Sequence, residues 1–211
     1  MLYNNANETY SDEWDVKSLL QILIVDDSGF SRAMMIRELT GLGIDAGQID
    51  QAGSGAEALA KLADRQFDLY ILDIVMTGID GIAVLKQVKQ QQPDARIIMC
   101  SGSSAPELVK ESVSLGIDAF IVKPYKAEDF VRAVCRSLPG LSETCEPVEQ
   151  LTVKCHACDC KMIEVNSINT VSFFCPNSCM QIGPVVYALA TQQQFDEDYA
   201  RARTGKQTCI D

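Results

Sequence analysis

Residues 19–28 read LLQILIVDDS, an almost unbroken apolar run that stops at two adjacent carboxylates. A strand with one wet face alternates apolar and polar residues. An unbroken run instead marks a strand buried on both faces, as in a parallel sheet covered by helices. Ser28 then stands where a helix N-cap belongs, and Met34, Met35, Leu39 and Leu42 recur at helical spacing until Gly41 and Gly43 stop the helix. Strand, acidic pair and helix form the first unit of an alternating chain.

The alternation repeats downstream. The sequence predicts a short strand over 49–52 and a helix over 55–66 carrying Ala58, Leu59 and Leu62. A strand at DLYILD (68–73) precedes a helix over 81–91, ARIIMCS (95–101) precedes one over 106–115, and DAFIVK (118–123) precedes one over 126–138. Strands alternating with helices pair in parallel through right-handed crossovers. The expected fold is therefore α/β, a doubly wound five-stranded parallel sheet, with its functional crevice at the carboxyl ends of the strands.

The flanks differ in kind. Residues 1–18 form an acidic, polar N-terminal extension, and 19–138 form the α/β domain. The stretch PGLSETCEPVEQ (139–150) has the composition of a linker. Residues 151–211 make a small cysteine-rich α+β domain, closed by a predicted helix over 185–203. The 211 residues carry 18 basic and 29 acidic side chains, a formal charge of -11. That balance opposes extended contact with nucleic acid or anionic membranes. No run reaches the roughly 18 apolar residues of a membrane helix, and the N-terminus lacks the pattern of a signal peptide. The expected location is a reducing cytoplasm, where clustered cysteines bind metal or react more often than they form disulfides.

The strand ends carry the chemistry. Asp26 and Asp27 follow the first strand, Asp73 ends the third, Ser101 the fourth and Lys123 the fifth. Any one of these alone reads as the solvated start of a loop. Together they fall on one edge of the sheet, where three carboxylates repel each other unless a hard cation such as Mg2+ joins them. Lys123 adds a positive point charge and Ser101 a hydroxyl, both suited to phosphoryl oxygens. The set suits an aspartate, Asp73, that attacks phosphorus.

At this point the sequence resembles the receiver domain of two-component response regulators, a flavodoxin-like fold. The resemblance covers residues 20–138 and rests on IVDDS (24–28), LDIVMTGIDG (72–81), SGSS (101–104) and FIVKP (120–124). It implies that Asp73 is phosphorylated, and that Asp26, Asp27, Asp73 and the Val75 carbonyl surround Mg2+. It also implies that Lys123 pairs with the phosphoryl group, that Ser101 and Phe120 form the switch, and that Lys123–Pro124 is cis. Thr77 departs from the family's usual proline, and Val75 and Ser103 occupy the positions beside the path of a hydrolytic water. Such a domain is no enzyme beyond its own phosphorylation and dephosphorylation. Its donor is a sensor histidine kinase or a histidine phosphotransfer protein. A homodimer through the fourth helix, fifth strand and fifth helix is a further implied partner.

The output is sought in residues 151–211, whose five basic and six acidic side chains lack a basic face. Protein contacts with a downstream partner are expected there rather than DNA binding. Cys155-x2-Cys158 and Cys175-x3-Cys179 flank a β-rich stretch (162–174), the arrangement of a small zinc ribbon with a structural Zn2+. His156 and Cys160 are spare ligands, and a thiol redox sensor is the competing reading. On that reading the α/β domain serves as a docking scaffold for a redox or metal sensor. Cys100 and Cys135 are expected as small core residues.

Overall fold

The computed structural model describes residues 20–138, 141, 157–167, 170–177 and 181–186. Five strand–helix units come first: β1 (Ile22–Val25), α1 (Gly29–Gly41), β2 (Ile49–Ala52), α2 (Gly55–Asp64), β3 (Leu69–Asp73), α3 (Gly81–Gln91), β4 (Arg96–Ser101), α4 (Pro106–Ser114), β5 (Ala119–Val122) and α5 (Ala127–Ser137). Side-chain caps begin three of the helices. Ser28 accepts from the Ser31 N–H, Ser54 from the Glu57 N–H and Asp80 from the Ala83 N–H. Strand order is β2-β1-β3-β4-β5, with each neighbouring pair parallel. The order reverses beside β1 and β3, so the crevice of a doubly wound sheet lies above those two strands.

Two apolar layers clamp this sheet. Leu23, Val25, Tyr70, Leu72, Ile97, Met99 and Phe120 face α2, α3 and α4. Ile22, Ile24, Ile71, Ile98 and Ile121 face α1 and α5, where they meet Met35, Leu39, Phe130 and Val134. Successive strand residues point to opposite faces, which is why β1, β5 and the bodies of β3 and β4 are apolar on both, whereas the edge strand β2 carries Asp50 and Gln51.

The departure from expectation lies beyond α5. The sheet has eight strands: β6 (Ile163–Ser167), β7 (Thr170–Phe174) and β8 (Gln181–Val186) continue it past β5. β6 runs parallel to β5, with Phe120 opposite Val165 and Ile121 opposite Asn166; β6–β7 and β7–β8 are antiparallel. The described part of the expected second domain is thus a β-ribbon added to the first domain's sheet. A five-stranded sheet ending at β5 would leave a row of unpaired N–H and C=O groups, and β6 satisfies them. Ile163, Val165 and Phe174 extend the α4-side core outward from Phe120. Burial of each such side chain contributes roughly 1.5–3 kcal/mol.

Val185 and Val186 belong to β8, not to the expected helix over 185–203. The rest of that helix, the N-terminal extension and nearly all of the 139–150 linker lie outside the described residues. No described helix is long and apolar enough to cross a membrane.

Candidate functional site

The strand ends converge as the alternation demands. Carboxylate oxygens of Asp26, Asp27 and Asp73 all lie within 4.8 Å of one another. Asp26 is fully buried, Asp73 is 6% exposed, and Asp27 opens to water. Lys123 reaches across from the end of β5. Its Nζ donates to Asp26 Oδ2 at 2.6 Å and to Asp73 Oδ2 at 2.7 Å. Asp73 Oδ1 accepts the Val75 N–H at 3.1 Å, and Asp26 Oδ1 accepts the Ser28 N–H at 2.8 Å.

These contacts set the charges. Burial pushes the Asp73 carboxyl above its ordinary value, and the Lys123 ammonium and Val75 N–H only partly oppose that. Burial also works against the ammonium of Lys123. Its hydrogen bonds to Asp26 and Asp73 prevail and hold its pKa above the usual lysine range. A single internal cation therefore serves two buried carboxylates, with the third, Asp27, at the mouth. Three clustered carboxylate donors, one open to solvent, fit a hard divalent cation that keeps part of its water shell.

Other expected residues take supporting places. Ser101 is fully buried at the end of β4, and its Oγ accepts the Ser103 N–H at 3.0 Å. Phe120 is fully buried under α4, and Lys123–Pro124 is a cis peptide. Val75 is 61% exposed on the loop after Asp73.

Two features escaped the sequence reading. Gly81 is a position of close approach: a Cβ there would lie 2.0 Å from the Asp73 carbonyl oxygen. The first turn of α3 thus rests on the backbone of Asp73, which only glycine permits. Arg32, on α1, donates to the Asp26 carbonyl oxygen at 2.7 Å and to Gln51, tying the acidic loop to β2. A lone arginine in a helix carries no signal of that kind.

Of the four expected thiol ligands, Cys158 and Cys175 fall among the described residues. Cys158, Cys160 and Cys175 come together, with Sγ–Sγ distances of 3.2, 3.4 and 3.5 Å. Cys160 was expected as a spare and is a full member. Cys155, His156 and Cys179 lie outside the described residues. Cys100 is a buried core thiol, as expected, whereas Cys135 is disulfide-bonded and not a simple core residue. Its place on α5 reads as apolar spacing, so the sequence pattern could not reveal the bond.

Comparison with known proteins agrees with the crevice. The chain matches the response regulator receiver domain family over residues 22–135. It is 38% identical over 118 residues to the chemotaxis protein CheY of Bacillus subtilis, covering 56% of this chain and 97% of that protein. The CheX–CheY–BeF3–Mg2+ complex of Borrelia burgdorferi contains a similar structure, with 34% identity, a TM-score of 0.52, and coverage of 55% of this chain and 87% of that one. TrrA of Thermotoga maritima, solved with Mg2+ and BeF, is similar at 32% identity and a TM-score of 0.51, covering 57% of this chain and all of that one. With its strand order, its crevice and a match spanning more than half its length, the chain belongs to the response regulator receiver domain family of two-component systems.

Proposed function

We propose that the chain is a phosphorelay response regulator that accepts a phosphoryl group on Asp73 and signals through protein contacts. The observation that carries this reading is the position of Lys123 Nζ, within 2.7 Å of both Asp26 and Asp73. The donor is a phosphohistidine on a sensor kinase or phosphotransfer protein. An Asp73 carboxylate oxygen attacks phosphorus in line, the P–N bond breaks, and the imidazole nitrogen leaves with the electron pair and takes a proton from solvent. Asp26, Asp27 and Asp73, with the Val75 carbonyl, would hold Mg2+, which when bound neutralises charge on the phosphoryl oxygens. Lys123 exchanges its contact with Asp73 Oδ2 for one with the arriving phosphoryl group. The Ser101 hydroxyl leaves the Ser103 N–H for the same group, and the packing of Phe120 responds.

Phosphorylation and hydrolysis at Asp73 are then the chain's only chemistry. The receiver would span 19–138, in a cytoplasmic protein. The CheX–CheY complex offers a precedent for a receiver meeting a protein partner, and the charge of -11 disfavours DNA as the target. Zinc belongs to this reading as a structural ion of the cysteine region. Labelling with acetyl phosphate in Mg2+ tests the assignment. Asp73→Asn abolishes it; a variant labelled as fully as the parent would overturn the assignment. A redox or metal sensor with a silent receiver is the second reading, favoured by the close thiol cluster. It requires that thiol oxidation changes partner binding while Asp73→Asn does not.

A further inference from the structure

β6 approaches β5 from a defined end. The two strands are parallel, so both point their carboxyl ends toward the edge where Lys123 and Asp73 lie. Cys160 precedes β6 and Cys175 follows β7, whose last residue, Phe174, pairs with Ile163, the first of β6. The three thiols therefore sit at the amino edge of the sheet, opposite the acidic crevice. They lie at the end of the β6–β7 pair where Ile163 meets Phe174, and the Ser167–Thr170 pair lies at the other end.

The geometry of the three sulfurs is specific. Their separations of 3.2, 3.5 and 3.4 Å are far longer than the roughly 2.05 Å of a disulfide. Thiols are weak hydrogen-bonding groups and gain little by meeting in threes. Tetrahedral Zn2+ with sulfur ligands at about 2.3 Å spaces those ligands about 3.8 Å apart, so this triangle needs only a few tenths of an ångström of opening. The backbone cooperates. Asp159 has a φ of 56°, the one positive φ of a non-glycine residue among the described residues, and this turns Cys158 and Cys160 toward the same point. The Cys160 N–H and the Asn177 side chain both donate to Cys158 sulfur, holding it beside Cys160.

We propose that Cys158, Cys160 and Cys175 bind one Zn2+-class soft divalent cation as thiolates, and that this ion clasps the hairpin so that β6 stays paired with the β5 edge beside Phe120. Binding releases the three thiol protons to solvent. The ion is structural, and its site is separate from the phosphoryl chemistry. Its effect on signalling, which rests on the response-regulator reading, is to keep β5 covered by the chain's own strand.

The test uses the full reduced chain. We expect one zinc per chain by elemental analysis, and Co2+ substitution giving a sulfur-to-cobalt charge-transfer band. Cys160→Ser weakens that band by one thiolate and lowers zinc affinity more than about 100-fold, since even outer-shell changes cost 10–100-fold. Cys160→His, which keeps a ligand, retains the ion and guards against simple misfolding. Chelation of the parent speeds hydrogen exchange at 120–122 and 165–166. No metal in the reduced chain, undiminished affinity in Cys160→Ser, or unchanged exchange after chelation would each overturn the clasp. Acetyl phosphate labelling runs in parallel: label without zinc sinks the clasp alone, and zinc without label sinks the phosphoryl-acceptor reading alone.

Discussion

At the carboxyl edge of the sheet, side chains as far as 97 positions apart meet around one ammonium. At the amino edge, three thiols no more than 17 positions apart meet one another. The first site exists only because five strands are already in register, and its internal cation makes it self-consistent before any ligand arrives. The second needs little more than a hairpin that brings three sulfurs within 3.5 Å of one another. Hard oxygen donors have been built into the core of the fold, while soft sulfur donors have been placed where they fasten an attachment to it.

The largest test of that contrast removes Lys123. Asp26 is fully buried, so Lys123→Ala leaves it with no counterion, and we expect a loss of about 3 kcal/mol in urea unfolding without Mg2+. Saturating Mg2+ restores most of it, about 2.7 kcal/mol at a hundredfold excess over its Kd, whereas Zn2+ chelation leaves the deficit unchanged. No Mg2+ rescue would mean that the carboxylates do not form a cation site. Gly81→Ala comes next, because its Cβ collides with the Asp73 carbonyl. Repacking costs about 1–3 kcal/mol, labelling slows, and zinc content is untouched. Equal labelling rates would show that the first turn of α3 does not position Asp73.

Val165→Asp acts on the attachment alone. A carboxylate facing the Phe120 layer frees the ribbon, at a stability cost of about 1–2 kcal/mol, while labelling stays within about twofold. Failure to label would show that the two edges are not separable. The smallest effect concerns Cys100. Burial pushes its thiol up to about 12, so at pH 8 the folded chain leaves it unalkylated, while chelation exposes Cys158 to reagent. The unfolded thiol ionises near pH 8.5, and the unfolded state then binds fewer protons. Stability therefore falls between about pH 8.5 and 12, and a Cys100→Ala comparison isolates that slope.

Legibility in the sequence follows the same division. Residues 22–25, 69–72 and 97–100 are buried apolar runs, and each is followed at once by a side chain the crevice uses, so fold and acidic site could be read together. The positive φ of Asp159 and the convergence of Cys160 with Cys175 depend on backbone angles and hairpin register, which spacing alone does not encode. Spacing therefore marked Cys158 and Cys175 but left Cys160 as a spare. MIEVNSINTVSFF announced strands, but nothing in it named β5 as the neighbour, because an edge strand accepts any partner with a free backbone.

That pairing changes what the segment between α5 and β6 does. Parallel neighbours in one sheet cannot be joined by a tight turn, so the chain from Val122 to Ile163 is a crossover connection, not a tether between independent bodies. Its task is to deliver β6 to the β5 edge in the parallel sense, which a tether never has to do. The register itself is set by the apolar pattern of β6, which turns Val165 toward the Phe120 layer; a slip of β6 by one residue would turn that side chain toward water.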